Sequence, residues 1–320
     1  MQRSRFFRTI ISTLTGTLIL LGLDNVSVPT KVHATVSVSQ SVYTTQVQAE
    51  PPQGIDHEAL VSHIDKWKKD LSKNAPFTAW QDASYSIYPL GPGTHGWLVL
   101  LSKQDKEIGY MIISASENQE PILTEYGVGP SPLFSINTLY PSLVQHELIS
   151  SKIKPEQLFQ QSHIKFERYY LHPMLAVWRV ESTGKPASYI NAKTGEVLLI
   201  TDAKWKAQEQ VMARAPLQFK PLTTTAAPSI QTIQPFDPFE RINWLTHDPL
   251  PIQQASQITE QIDQKAKITY VSNWFKDSYM VPMSISGYQQ WGEHTYLMME
   301  EQGTRWIPFQ SLQPFGYFFK

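Results

Sequence analysis

Gly96-Trp97-Leu98-Val99-Leu100-Leu101-Ser102, then the polar Lys103-Gln104-Asp105-Lys106, then Ile108-Gly109-Tyr110-Met111-Ile112-Ile113-Ser114-Ala115: this stretch decides the fold. Two runs rich in apolar, β-branched and aromatic residues, split by a short polar break, read as an antiparallel β-hairpin. Working outward, Ser84 to Pro89 has strand character and is set off by Gly91-Pro92-Gly93, while Ile122 to Tyr126 adds a strand before the turn Gly127-Val128-Gly129-Pro130-Ser131-Pro132. A helix is expected on each side. From Asp56 to Lys73, Leu60, Ile64, Trp67 and Leu71 recur at helical spacing, and from Ile136 to Ser150 the apolar side carries Leu139, Leu143, Val144 and Leu148.

Further on, Phe166 to Leu171, Leu175 to Glu181, Ala187 to Asn191 and Glu196 to Ile200 read as a second meander. Periodicity then fails across 207–238, a stretch with Pro216, Pro221, Pro228, Pro235, Pro238 and the run Thr223-Thr224-Thr225, which is therefore expected to be a linker. Strands resume at Ile268 to Trp274, Tyr279 to Tyr288, His294 to Glu300 and Thr304 to Phe309, after a short helix from Ala255 to Ala266. The sequence thus predicts an α+β fold: an N-terminal helix with antiparallel sheet over 55–206, the Pro/Thr-rich linker, and a small all-β module of SH3-like barrel type over 239–320.

Export is the clearest functional expectation. Arg3, Arg5 and Arg8 precede an apolar run from Ile10 to Leu23 that stops at Asp24 and Asn25. At about 14 residues this run is short of the ~20 needed to span hydrocarbon, so a signal peptide is expected over a stable transmembrane anchor. Val32-His33-Ala34 fits a small-residue cleavage site, which makes 1–34 the signal, Thr35 the first mature residue and 35–54, ending near Pro51-Pro52 and Gly54, a tether. The chain has no cysteine, which rules out disulfides, thiolate zinc sites, cysteine nucleophiles and a lipid-modified cysteine. A secreted or cell-surface bacterial protein is expected. With 27 basic and 28 acidic residues, no basic field points to nucleic acid.

Two stretches carry a resemblance. Gly96 to Leu101, Gly109 to Ala115 and Pro121-Ile122-Leu123-Thr124-Glu125-Tyr126-Gly127 together resemble the prosegment of streptopain-type cysteine peptidases, and Ala187-Ser188-Tyr189-Ile190-Asn191-Ala192-Lys193-Thr194-Gly195-Glu196-Val197-Leu198 is similar to the strand-turn-strand ending of PepSY-like domains. The resemblance lies within residues 84–200. It implies a prosegment-like module that binds or inhibits a secreted peptidase. The chain departs from that family in that a catalytic cysteine is absent.

The motifs for chemistry fall away on spacing. His146-Glu147-Leu148-Ile149 opens like a zinc-peptidase helix, but Ser150 stands where the second ligand belongs, and His57-Glu58 meets Val61 at the same point. Ser151 and Lys154 with Lys193-Thr194-Gly195 imitate the penicillin-recognising pair, yet the intervening chain is too short for the helical domain that chemistry uses. No catalytic, metal or cofactor-binding residue is assigned. In the C-terminal block, Trp274, Tyr279, Tyr288, Trp291, Tyr296, Trp306, Phe309, Phe315, Tyr317, Phe318 and Phe319 crowd together. They are expected to fill a small core, with Tyr288 and Trp291 as exposed ligand-contact rings. Arg305 is expected to form a cross-strand pair with a glutamate, of small energetic worth. The expected partner is a secreted peptidase or, on the alternative reading of the aromatic block as a glycan- or peptide-binding module, a cell-wall component. A hydrolase whose paired carboxylates lie far apart in sequence is a third reading.

Overall fold

In the computed structural model, which describes residues 56–320 apart from 92–95, 215–220, 223 and 225–226, Asp56 caps helix α1 (His57–Leu71) by accepting the Ala59 N–H at 3.2 Å. The expected signal segment and tether lie outside the described residues. Leu60, Ile64, Trp67 and Leu71 are all buried, as their spacing requires, with Lys68 and Lys69 in the last turn where the helix dipole favours cations.

Strands β1 (Ser84–Pro89), β2 (Gly96–Lys103), β3 (Lys106–Ala115) and β4 (Pro121–Val128) follow as an antiparallel meander. Gln104 and Asp105 both take positive φ, 51° and 58°, so β2 and β3 are joined by the two-residue turn whose twist matches the strands. Alternation then divides the sheet. Trp97, Val99, Leu101, Met111 and Ile113 pack with α1 on one face, while Leu98, Tyr110 and Ile112 point to the other. The β3–β4 register shifts at one point: Ile112 pairs with Glu125 but Ile113 pairs with Leu123, leaving Thr124 as the extra residue of a bulge. Through it Leu123 and Tyr126 both join the α1 face, and Glu125 turns to the opposite side.

That opposite side is covered by α2 (Ile136–Gln145) and by a second antiparallel sheet of β5 (Ile164–His172), β6 (Leu175–Ser182), β7 (Ser188–Asn191) and β8 (Val197–Leu198). Helix α2 starts on the Ser135 hydroxyl and stops short of the expected Ser150, because Glu147 turns to φ 55° and the Leu148 N–H reaches back to the Leu143 carbonyl at 2.9 Å. The Asn191–Gly195 turn forms as expected. Asn191 Oδ1 accepts the N–H groups of Lys193 and Thr194 at 2.8 and 3.0 Å, and Gly195 supplies φ 78°.

The stretch read as linker differs most from expectation. Helix α3 (Asp202–Arg214) runs into it and buries Trp205 and Met212, and β9 (Ser229–Thr232) pairs with a strand of the C-terminal block. Asp202 ties the start of α3 to the second sheet by receiving two N–H groups of Arg179 at 3.2 and 2.9 Å.

Beyond α4 (Asn243–Thr246) and α5 (Ala255–Asp263) come β10 (Ile268–Trp274), β11 (Tyr279–Trp291), β12 (His294–Glu300), β13 (Thr304–Pro308), α6 (Phe309–Leu312) and β14 (Gly316–Phe319). These strands do not close into an SH3-like barrel. Their sheet joins the first one, in the order β1-β2-β3-β4-β13-β12-β11-β10-β14, with β9 added on β11. The seam is β4 on β13, Val128 opposite Thr304, Gly127 opposite Arg305 and Tyr126 opposite Trp306. Gly127 is required there: a Cβ would lie 2.6 Å from the Tyr110 ring and 2.8 Å from the Thr304 carbonyl. The fold is therefore mixed helix and antiparallel sheet, as expected in class, but Trp291, Tyr296 and Trp306 line a core shared with α1, while Trp274, Phe309 and Phe318 pack in another with α5 and the second sheet.

Candidate functional site

Strand β4 is buried from Pro121 to Gly127, because α1 covers one face and the second sheet the other. A carboxylate placed there must be fully partnered, since desolvation of a lone buried charge costs several kcal/mol or more. Glu125, fully buried, meets that demand. Its Oε1 accepts from Arg305 Nε at 2.9 Å and from the Tyr110 hydroxyl and lies 2.7 Å from Nη2 in the ion pair; its Oε2 accepts from the Tyr170 hydroxyl at 2.8 Å. Arg305 also donates from Nη1 to Glu301 Oε2 at 2.5 Å and from Nη2 to the Pro173 carbonyl at 2.6 Å. Burial opposes the charge of Arg305, but Glu125, Tyr110 and Glu301 outweigh it and hold the guanidinium well above its ordinary pKa. Burial first, and then the Glu125 charge, push both tyrosines well above theirs, so they stay protonated donors.

The expectation for Arg305 is thereby corrected. It faces Met299 across β12, and its carboxylates come from β4 in the other half of the sheet and from Glu301, four residues back. An exposed pair would be worth ~0–1 kcal/mol; this one is enclosed.

Two further ionisable groups border the centre. Lys193, in the Asn191–Gly195 turn, is buried, and its Nζ donates to the carbonyls of Ser131 and, at 3.2 Å, Gln302. Burial, aided by the Arg305 charge, lowers it to about 8 against the pull of Glu301 and Glu125. Replacing Lys193 by methionine keeps the stem and leaves two carbonyls without a donor. The expected loss is about 1–3 kcal/mol of stability, read as a lower urea midpoint. His172 sits between the Ser311 carbonyl, 2.8 Å from Nε2, and the Met174 N–H, 3.0 Å from Nδ1. A carbonyl only accepts, so Nε2 carries the proton and the ring is neutral.

Pro173, Met174, Lys193, Glu301 and Arg305 line a cavity of about 10 Å³ beside this centre, about the space of one water molecule. The centre can brace but has no room for a substrate. It cross-links three elements: β4, the β12–β13 hairpin and the second sheet. A larger open groove of about 510 Å³ lies elsewhere, where the end of α2 meets the start of β5, between apolar Val144, Leu148 and Ile153 and polar Glu147 and His163. Among the described residues no group of His, Asp or Glu is arranged to hold a metal ion.

The two aromatic residues singled out in sequence part company. Trp291 is fully buried, ending β11 against Tyr126 at a ring distance of 6.4 Å, so its expected exposure is corrected: the glycine after it marks the turn, while the indole points into the α1 core. Tyr288 is half-buried, packs on the core beneath α5, and donates its hydroxyl to Asp263 Oδ1 at 3.1 Å. They do not share a surface cluster. What sequence reasoning missed was Glu125 and Lys193, each visible as a lone charge within an otherwise apolar or turn-forming run. Neither the protein-family models nor the curated proteins contain a match to this chain.

Proposed function

We propose that this chain is an exported, non-catalytic protein that binds and inhibits a secreted peptidase by adding the edge strand β1 to an extended segment of its partner. The observation that carries this reading is the character of that edge. Ser84-Tyr85-Ser86-Ile87-Tyr88-Pro89 contains no charged residue and ends the larger sheet, whereas soluble proteins usually guard such an edge with charges or a covering element. The Leu90 N–H bonds the Gly96 carbonyl at 3.0 Å, in register with β1–β2, so by alternation Ser84, Ser86 and Tyr88 face β2. Tyr85 and Ile87 then direct their N–H and C=O groups outward. The opposite edge differs: the Phe318 carbonyl of β14 takes the Leu250 N–H at 2.7 Å. The likeness of residues 84–200 to peptidase prosegments supports the same partner class.

Ile87→Pro is the direct test, since it deletes an outward N–H without taking one from the β1–β2 ladder. Residues 35–320 titrated into the secreted peptidases of the producing organism are expected to slow casein hydrolysis, and the variant to require at least about tenfold more protein. Far-ultraviolet circular dichroism checks that the variant is folded. Unchanged hydrolysis with excess wild-type protein would overturn the proposal.

A further inference from the structure

The structure holds three arginines on or against its sheets, and they are not used alike. Arg305 is paired with Glu125, Glu301 and a carbonyl, and Arg179 with Glu167, Glu181 and Asp202. Arg168, on β5, has no carboxylate partner among the described residues. Its guanidinium instead lies between two rings, 4.5 Å from the centroid of Tyr88 and 4.6 Å from that of Trp178. Nε is enclosed with no hydrogen-bond partner, while the side chain as a whole is only half-buried. Burial draws the group down to about 10, opposed by the Tyr88 hydroxyl, which leaves it cationic at neutral pH.

Its place in the fold gives this arrangement a direction. Tyr88 belongs to β1, the end strand of the larger sheet, and Arg168 belongs to β5, the end strand of the smaller one. The Gly91 N–H bonds the Arg168 carbonyl at 2.6 Å, so the two strands meet at this corner. Aromatic faces hold a guanidinium flat by cation–π attraction but use none of its in-plane N–H donors. A carboxylate uses them, because its two oxygens match the guanidinium fork in one plane. We infer that Arg168, held between Tyr88 and Trp178, is the anchor for a carboxylate carried by an acidic side chain of the peptide segment that pairs with β1. This rests on strand addition at β1 and names the chemistry it selects: an extended acidic segment rather than a basic or apolar one.

Acetate serves as the probe. In wild-type protein the ¹H–¹⁵N signal of the enclosed Arg168 Nε–H is expected to shift saturably with acetate, and not with chloride at the same ionic strength. Arg168→Gln, which assigns the signal by its loss, is expected to raise the concentration needed for peptidase inhibition about tenfold, with Arg168→Lys in between because it keeps the charge without the fork. Acetate behaving like chloride would overturn the carboxylate site, as would phosphate binding more than tenfold tighter than acetate. Arg168→Gln inhibiting as well as wild type would overturn its role as anchor while leaving strand addition at β1 in place. Loss of inhibition with Ile87→Pro alone would have that same meaning. A wild-type protein that inhibits nothing removes the partner claim, and the acetate titration still decides the site.

Discussion

Arg305→Met is expected to destabilise the fold by about 3–5 kcal/mol, because it strands Glu125 as an uncompensated charge in the interior. Glu125→Leu alone leaves the guanidinium with Glu301 and the Pro173 carbonyl, so its cost is expected to be somewhat smaller. In the double variant neither charge remains to be desolvated, and the loss is expected to fall well below the sum of the singles. The Tyr110 and Tyr170 hydroxyls would still lack their acceptor, which keeps the double variant below wild type. Urea unfolding of the four proteins closes the cycle. Strictly additive losses would mean that Glu125 and Arg305 act independently, contrary to their 2.7 Å contact.

Acid is expected to weaken the protein through His172. Burial, with a smaller contribution from the Arg305 charge, lowers this imidazole from 6.5 to about 3, against the favourable bond to Ser311. Above pH 6.5 the ring is neutral in both folded and unfolded chains and stability does not depend on it. Between pH 6.5 and about 3 the unfolded chain binds a proton that the folded chain refuses, so stability falls as pH falls, by up to about 1.4 kcal/mol per unit. The full effect is roughly 5 kcal/mol on the same arithmetic. His172→Gln can still offer an N–H towards Ser311 but cannot titrate. It is expected to be less stable at pH 7 yet to lose less between pH 7 and pH 4, as measured by urea midpoints at the two pH values. Parallel losses in both proteins would assign the acid sensitivity elsewhere.

Physically, the two effects belong to one arrangement. Arg305, Glu125, Lys193 and His172 sit where the second sheet closes over the seam between β4 and β13. Arg305, Lys193 and His172 each donate to a backbone carbonyl or a carboxylate from a different segment of the chain, and Glu125 accepts from Arg305 and two tyrosines. The interior is polar there because three segments must be held in register at a place where apolar packing alone is indifferent to small slips. Strand β1 lies at the far end of the same sheet, six places from β11 and seven from β10.

Local pattern determined a good deal. The spacing of Leu60, Ile64, Trp67 and Leu71 specified α1, alternation specified β1 to β7 and β10 to β13, and the Asn191–Gly195 turn followed from Asx and glycine chemistry, since each depends only on residues within a few positions. Helix α3 escaped because it buries only Trp205 and Met212, too few to show a period, and α2 ended early through a left-handed Glu147 that no cap residue announced. Tertiary structure alone decided the rest. That the second edge of β13, beside its pairing with β12, goes to β4 across more than 170 positions depends on which sheet edge offers a matching row of donors, a glycine at Gly127 and a carboxylate for Arg305. The same long-range pairing buried Trp291 and turned an apparent surface ion pair into an interior one. Sequence spacing carries no information on contacts of that range, because what selects them is the free energy of closing the whole sheet.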